Sequence, residues 1–171
     1  MTLNNIKVID SISELIDSLN RSHKNSYRDL IKNLDLNIED VEGYCNWDKD
    51  NYTRNLIYLN DRYHLLILCW QQEQLSSVHD HGRQECFMYI IKGIVQENIY
   101  QLNQNNLVEH QKNIYKKGDN SYIIDSIGMH SIQCLSNRAV TLHLYAQPIE
   151  KYHIFDANKN KLVCVDYVVK Y

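Results

Sequence analysis

Three histidines have a spacing that could hold one metal ion. His79 and His81 flank Asp80, and His130 lies far downstream. On a β-strand, side chains two residues apart point to the same face, with Cα atoms about 6.6 Å apart at a rise of ~3.3 Å per residue. Two such imidazoles can bind one cation, but the third must come from another strand, so folding has to assemble the site. Imidazole suits iron, zinc, copper and nickel, and the sequence alone selects none of them.

The chain before these histidines predicts a helical segment. Ser11 and Glu14 fit a capping box, after which apolar residues recur with helical spacing over residues 12–19. Further helices are predicted over residues 26–34 and near residues 38–44. The apolar face of each such helix needs a partner to pack against.

The remainder of the chain predicts strands. Short segments rich in Ile, Val, Leu and Tyr alternate with turn signals, and strands are predicted over residues 52–59, 63–70, 85–92, 94–102, 107–115, 131–135, 139–147 and 162–169. This pattern indicates a mainly β protein built as an antiparallel sandwich or barrel. Because no Pro, Gly or Ser-rich linker divides the chain, we expect one domain over residues 1–171, with a helical segment of about residues 1–48 packed on a β-barrel of about residues 49–171.

Composition argues against several kinds of partner. The net charge is −3 and no basic stripe is present, so nucleic acid is not expected. No run of 18 apolar residues occurs, so we expect no membrane span. Residues 1–5 lack the features of a signal peptide, and the five cysteines follow no pairing pattern. We therefore expect a cytoplasmic protein with reduced thiols, and we expect it to be a monomer.

The spacing of the three histidines is similar to that of the cupins. The cupin pattern places a glutamate ligand five residues after its second histidine, with six residues between that glutamate and a glycine; here that slot, before Gly93, holds Cys86. Glu85 is an alternative ligand, but strand alternation would point it away. His64 is a possible fourth ligand and His153 a possible substrate contact, although a core and a loop position respectively are the preferred interpretations. Three neutral imidazoles would leave coordination positions open for substrate and oxygen.

Several longer strings carry a more specific resemblance. The chain resembles the type I cysteine dioxygenases, a thiol-oxidising branch of the cupins, over residues 45–160 and on the strings Tyr52-Thr53-Arg54-Asn55-Leu56, Ser76-Ser77-Val78-His79-Asp80-His81, Cys86-Phe87, Asp125-Ser126-Ile127-Gly128-Met129-His130 and Leu142-His143-Leu144-Tyr145. The resemblance implies a small jelly-roll-like cupin barrel and one Fe(II) held by His79, His81 and His130. It also implies that L-cysteine chelates iron through its thiolate and amine, and that both atoms of O2 pass to sulfur to give cysteine sulfinic acid.

Arg54 is the candidate that would bind the substrate carboxylate. A guanidinium matches a carboxylate with two charge-assisted hydrogen bonds, and Tyr52, two residues earlier, would face the same way and add a hydroxyl. The alternative is a surface arginine on an edge strand. Near the C-terminus, Tyr152 stands where mammalian-type relatives have cysteine, so the mouth of the site is expected to differ there.

Thr141, His143 and Tyr145 are spaced two residues apart and should line one face of a strand. A hydroxyl, an imidazole and a phenol in a row can form a hydrogen-bond relay, and the resemblance implies such a relay with serine commonly in first place. It further implies a Cys86–Tyr145 thioether, a protein-derived cofactor that would lock the phenol. His81 and Cys86 are an odd number of residues apart, so both face inward only if the strand is interrupted, for which Gly82 is suited.

Two other functions remain open from the residues. The nearest is a dioxygenase for 3-mercaptopropionate or a related small thiol, although that branch typically has glutamine at the position of Arg54. The other is a cupin that binds a metal or small ligand without catalysis, which would leave the joint presence of Arg54, Cys86 and Tyr145 unexplained.

Overall fold

The computed structural model of the protein describes residues 8–104 and 106–168. Two helices, α1 (Ile12–Arg21) and α2 (Tyr27–Lys32), precede the strands; a 3-10 turn (Lys24–Ser26) leads into α2, and two further 3-10 turns (Ile38–Asp40 and Glu42–Tyr44) follow it. The strands are β1 (Thr53–Leu59), β2 (His64–Gln71), β3 (Cys86–Lys92), β4 (Ile94–Asn103), β5 (Asn106–Lys116), β6 (Asn120–Ile123), β7 (Met129–Cys134), β8 (Arg138–Tyr145), β9 (Lys151–Asp156) and β10 (Lys161–Asp166). Residues 1–5, which we judged to lack a signal peptide, and position 169, the end of the last predicted strand, lie outside the described residues.

Side-chain hydrogen bonds at both ends stabilise helix α1. Ser11 is its N-cap, and the Ser11 hydroxyl accepts a hydrogen bond of 3.3 Å from the Glu14 amide, which satisfies one of the free amides of the first turn. At the other end, the Arg62 guanidinium donates a 2.8 Å hydrogen bond to the Asn20 carbonyl. Leu15 and Leu19 are fully buried. No helix of the described residues has the length and apolar composition needed to cross a membrane.

The strands form antiparallel sheets that face one another. A five-stranded sheet has the order β1-β2-β8-β3-β6, a three-stranded sheet the order β5-β4-β7, and β9 pairs with β10. Strand β2 is buried on both faces, which explains its continuous apolar run. Its Leu65 and Ile67 pack with the helices on the outer side, while Leu66 and Leu68 pack inside, between the sheets. The predicted mainly β class with packed N-terminal helices is confirmed.

Two strands escaped prediction because their patterns are weak. Strand β6 has only four residues, and β9 is polar enough that no residue in it is fully buried. The second helix also stops at Lys32, two residues earlier than predicted. The third predicted helix is replaced by the two further 3-10 turns, in which no residue is buried. Short elements with little apolar burial give a weak periodic signal.

Candidate metal centre

Two of the three histidines are joined through their backbones. The amide of His79 donates to the carbonyl of His130, and the amide of His130 donates to the carbonyl of His79, both at 2.9 Å. His130 lies in β7, whereas His79 forms an isolated bridge rather than part of a regular strand, and it bridges to Ile154 of β9 as well. The two imidazole centroids are consequently only 4.7 Å apart. The side chains of His79 and His81 were expected to share one face of a continuous strand. They point to the same site, but the backbone that holds them is not a regular strand.

His81 is positioned by a turn. One carboxylate oxygen of Asp125 accepts a hydrogen bond from the His81 amide at 2.9 Å, and the other accepts one from the Arg83 amide at 2.6 Å. Gly82 has a φ of +57°, and a Cβ at that position would collide with the Lys151 carbonyl oxygen. This interruption lets His81 and Cys86 both face inward, as the odd spacing required. In the sequence, Asp125 is only part of a string shared with the family. In the structure, its two hydrogen bonds hold the turn that contains His81.

The three side chains offer one metal-ligand atom each. These atoms all lie within 4.8 Å of one another. The Nδ1 atoms of His79 and His130 are taken up by the Ser77 carbonyl, at 2.9 Å, and by a Glu97 carboxylate oxygen, at 2.7 Å, so each leaves its Nε2 lone pair free. Both ring nitrogens of His81 are buried without a hydrogen-bond partner in the described structure. A buried imidazole without a partner, beside two imidazoles with free Nε2 atoms, fits a metal ion.

Burial also determines the charge of His79 and His81. Loss of hydration, and then repulsion from the neighbouring His130, hold the pKa of His79 and of His81 well below the usual value. Both rings are therefore neutral at pH 7, which is the form that donates a lone pair to a metal.

Glu97 is a functional residue that sequence reasoning missed. It lies in β4 with 1% of its surface exposed. Its second carboxylate oxygen accepts a 2.8 Å hydrogen bond from the Ser121 hydroxyl. Burial raises the pKa of this carboxyl, but the hydrogen bond and charge of His130 outweigh that effect and lower it overall. The sequence did contain a signal for this residue: Glu97 alternates with the apolar residues Val95 and Ile99, both buried, which indicates that its side chain points inward from β4.

We expect the substitution Glu97→Gln to weaken metal binding at His130 by about tenfold to a hundredfold, the effect typical of removing a carboxylate that orients a metal-bound histidine. The measurement is a competition titration of Fe(II) against a chromophoric chelator under argon. Glu109→Gln, on the exposed strand β5, is the matched control and should leave the affinity unchanged. An unchanged affinity in the Glu97 variant would show that this carboxylate does not support the ligand.

Arg54 approaches the histidines from β1. Its guanidinium donates a 2.9 Å hydrogen bond to the Tyr52 hydroxyl and a longer one, 3.5 Å, to the Tyr152 hydroxyl. Its Cζ atom lies 5.3 to 5.9 Å from the ring centroids of Tyr52, Tyr152 and Tyr167. Within the described residues no carboxylate forms an ion pair with it. A partly buried cation with phenol neighbours and no counter-ion has the capacity to bind an anion. Arg54 lines the same cavity as His79, His81 and Tyr145, and this cavity is called the pocket below.

Of the predicted relay on β8, the hydrogen bond between Thr141 and His143 is present, but none joins His143 to Tyr145 among the described residues, because His143 Nδ1 faces the Cys86 sulfur instead. The Thr141 hydroxyl and His143 Nε2 are 3.0 Å apart, and the Trp70 indole donates to the same hydroxyl at 2.9 Å. The hydroxyl accepts from Trp70 and still has its own proton to donate to Nε2; in that arrangement the ring proton of neutral His143 is on Nδ1. Burial lowers the pKa of His143 to about 3. His143 and Tyr145 are neighbours, with ring centroids 6.3 Å apart.

Cys86 and Tyr145 are direct partners across two strands. They are opposite one another in the register of β3 with β8, a position in which side chains on one face meet. Both are buried, and burial raises the pKa of the thiol and of the phenol. The Cys86 sulfur is also 4.0 Å from His143 Nδ1. All five cysteines are free thiols in the structure.

The other candidates lie elsewhere. Glu85 forms a 2.9 Å ion pair with Lys24 and accepts a hydrogen bond from Tyr122, so it faces the helices and not the metal ligands. His64 is buried next to Tyr145 and is not among the three ligands. His153 lies in β9 rather than in a loop, and it donates to the Asp80 carboxylate at 2.8 Å.

Comparison with known proteins gives consistent results. The sequence model of the family described as Cysteine dioxygenase type I matches residues 4–158. The chain is 32% identical to cysteine dioxygenase type 1 of Bos taurus over 157 residues, which cover 78% of each chain. It is 35% identical to the Homo sapiens protein of the same name over 128 residues, covering 70% of this chain and 64% of the human one.

Solved structures support the barrel. A protein with a double-stranded β-helix domain from Klebsiella pneumoniae superposes with a TM-score of 0.54 at 12% identity, covering 63% of this chain and 81% of that one. A cupin 2 conserved barrel domain protein from Leptotrichia buccalis gives a TM-score of 0.51 at 8% identity, covering 63% and 47% of the two chains. At such low identity these likenesses show the fold, and the predicted cupin barrel is confirmed.

Proposed function

Since the chain belongs to the type I cysteine dioxygenase family, we propose that it is a non-haem Fe(II) dioxygenase that converts L-cysteine and O2 into cysteine sulfinic acid. The observation that carries the proposal is that three imidazoles converge beside a pocket lined by a guanidinium that has no carboxylate partner among the described residues. Family membership favours an enzyme over a cupin that only binds a ligand. The proposal also keeps the expectation of a cytoplasmic monomer that acts on a small thiol.

His79, His81 and His130 would hold the iron. Three neutral nitrogen donors and no carboxylate fit a divalent ion that must keep positions open for other ligands. When bound, the iron would supply the coordination positions at which the thiolate, the amine and dioxygen come together. The Ser77 carbonyl and the Glu97 carboxylate keep two of the rings in the tautomer that leaves Nε2 free.

Arg54 would orient the substrate. Its guanidinium can form two charge-assisted hydrogen bonds with a carboxylate, and the Tyr52 hydroxyl beside it can donate a third, because it accepts from Arg54 and keeps its own proton. Anchoring the carboxylate at this end of the pocket directs the thiol and amine of cysteine toward the histidines. Fixing both ends of a small substrate removes rotational freedom before reaction, which contributes to catalysis.

Tyr145 would act at the reacting end. Burial keeps its phenol protonated, since the pKa lies well above the usual value, so the hydroxyl is a hydrogen-bond donor. The Thr141 hydroxyl and the Trp70 indole fix the ring of His143, and His143 packs beside Tyr145. Together these residues would hold the Tyr145 hydroxyl, a proton donor, next to the sulfur of the bound substrate. The buried side chains around them would exclude water from the reaction.

The direct experiment is oxygen consumption by anaerobically loaded Fe(II) protein mixed with L-cysteine. The expected result is the uptake of one O2 for each cysteine sulfinic acid formed. Oxygen uptake that yields cystine and no sulfinic acid would rule out the proposed reaction. The thiol 3-mercaptopropionate should be a poorer substrate, because it lacks the amine, while Arg54 supplies a carboxylate contact for both thiols. A higher kcat/KM for 3-mercaptopropionate than for cysteine would favour the alternative function.

We expect a thioether to form between Cys86 and Tyr145 during turnover. Joining the sulfur to the ring carbon next to the hydroxyl releases two protons and two electrons, and O2 is the oxidant. The register of β3 and β8 supports this, because it places the two residues opposite one another. The cross-linked chain should migrate as a second, faster band on a denaturing gel. Cys86→Ala should abolish that band without loss of iron, whereas the control Cys134→Ala should retain it.

A further inference from the structure

Tyr167 brings a phenol to the Arg54 side of the pocket. It follows β10, and its backbone amide donates a 2.8 Å hydrogen bond to the Glu150 carbonyl, which fixes the chain at this point. Its ring centroid lies 5.3 Å from the Arg54 Cζ atom and 5.7 Å from the ring centroid of Tyr152. The position was not among the candidates that the sequence suggested, because a single tyrosine in a C-terminal segment gives no pattern.

The hydroxyl of Tyr167 lacks a hydrogen-bond acceptor in the described structure. It is buried and has no hydrogen bond of good geometry to another described residue. The neighbouring Tyr145 phenol, at a ring-centroid distance of 5.8 Å, contacts it as a donor, which leaves the proton of Tyr167 itself without an acceptor. Burial raises the pKa of this phenol to about 12, so the hydroxyl keeps its proton at neutral pH. A buried donor without an acceptor costs free energy, and an acceptor on a ligand in the pocket would remove that cost.

The chemistry of the neighbouring groups identifies the ligand. Arg54 has only donors, Tyr52 has a free hydroxyl proton because it accepts from Arg54, and Tyr167 has another. Such a group of donors around one cation matches the oxygen atoms of a carboxylate. We propose that Tyr167 binds the carboxylate of the thiol substrate, donating a hydrogen bond to it alongside Arg54. This assignment rests on the proposed function and adds a substrate-binding residue to it.

The test measures binding of three small thiols to the Fe(II)-loaded protein under argon. L-Cysteine and 3-mercaptopropionate carry a carboxylate, whereas cysteamine carries the thiol and amine alone. We expect Tyr167→Phe to raise the dissociation constants of the two carboxylates by about tenfold, the effect of losing one hydrogen bond to a charged group, and to leave cysteamine unchanged. The same selectivity should appear in KM for cysteine under air, with kcat nearly unchanged. Tyr44→Phe, at an exposed tyrosine, is the control and should bind all three thiols as the wild type does.

Comparing the dissociation constants of the three thiols within one variant separates an effect on binding from an effect on folding. A partly unfolded protein would bind all three thiols more weakly by the same factor. Tyr167→Met, which removes the ring as well as the hydroxyl, should show at least the same selectivity. Equal weakening of cysteamine and cysteine would show that Tyr167 only packs against Arg54, and unchanged binding of all three would show no contact; either result overturns the assignment. A wild-type protein that binds carboxylate thiols selectively but forms no sulfinic acid would instead refute the proposed reaction alone.

Discussion

His81→Leu should give a folded protein that binds no stoichiometric iron and forms no cysteine sulfinic acid. Loss of one of three ligands removes a third of the donor set, and no other described His, Cys, Asp or Glu completes the group. The measurements are iron content after anaerobic loading and gel filtration, and sulfinic acid formed from cysteine. We expect iron to fall from about one equivalent per chain to a small fraction of that.

The same substitution should not destabilise the metal-free protein. Neither ring nitrogen of His81 has a hydrogen-bond partner within residues 8–104 and 106–168, and the side chain is 1% exposed. Each unsatisfied buried polar group costs about 1–3 kcal/mol, so an apolar side chain of similar size should be neutral or stabilising. The melting temperature of metal-free His81→Leu is therefore expected to equal or exceed that of the metal-free wild type. Added Fe(II) should raise the melting temperature of the wild type only, since binding to the native state stabilises it.

His64→Leu is the matched control. His64 is also buried, at 2% exposure, with both ring nitrogens unpartnered, but it lies outside the ligand group. Its replacement should likewise leave the metal-free melting temperature unchanged or higher, while iron content stays at the wild-type level. Full iron loading of the His81 variant, or equal iron loss in both variants, would contradict the assignment of His81 as a ligand.

The sequence was sufficient for the elements with strong periodicity. The apolar run of β2 and the alternating β8 appear in the structure nearly at their predicted bounds, because burial on one or both faces determines which residues are apolar. The three histidines were found by spacing, although the local conformation differs. His79 converges with His130 through an isolated bridge, and His81 through a turn clamped by Asp125.

Contacts between distant segments were beyond the reach of sequence reasoning. Glu97 and Tyr167 show this: each is a single residue whose role depends on which strand lies opposite it. The 2.7 Å contact of Glu97 with His130 needs β4 and β7 to be neighbours in a particular register, and a one-residue slip would turn Glu97 away from the barrel interior. Pairing of this kind is decided by the whole fold, so the local pattern around Glu97 can indicate that its side chain points inward but not which residue it meets.

Arg54→Gln should lower kcat/KM for L-cysteine by about a hundredfold while iron content stays at the wild-type level. A carboxylate held by two charge-assisted hydrogen bonds loses about 3 kcal/mol when both are removed, at about 1.5 kcal/mol each, and each 1.36 kcal/mol corresponds to a tenfold change in rate. Glutamine retains one donor group but no charge, so part of the binding survives. Steady-state kinetics with cysteine, together with iron analysis, measures both quantities on one preparation.

A comparison of cysteine with cysteamine tests whether Arg54 acts on the substrate carboxylate. This thiol has no carboxylate, so its turnover or binding should change little in the variant, and the preference for cysteine over cysteamine should largely disappear. Arg21→Gln is the matched control, because the Arg21 side chain is 83% exposed and forms a surface ion pair with Asp17 of α1, where such a pair contributes little. Equal losses of cysteine turnover and of iron in Arg54→Gln would mean that the guanidinium maintains the structure of the site instead of binding substrate. That outcome is not expected, because Arg54 contacts phenol rings and none of the three histidine ligands is among its hydrogen-bond partners.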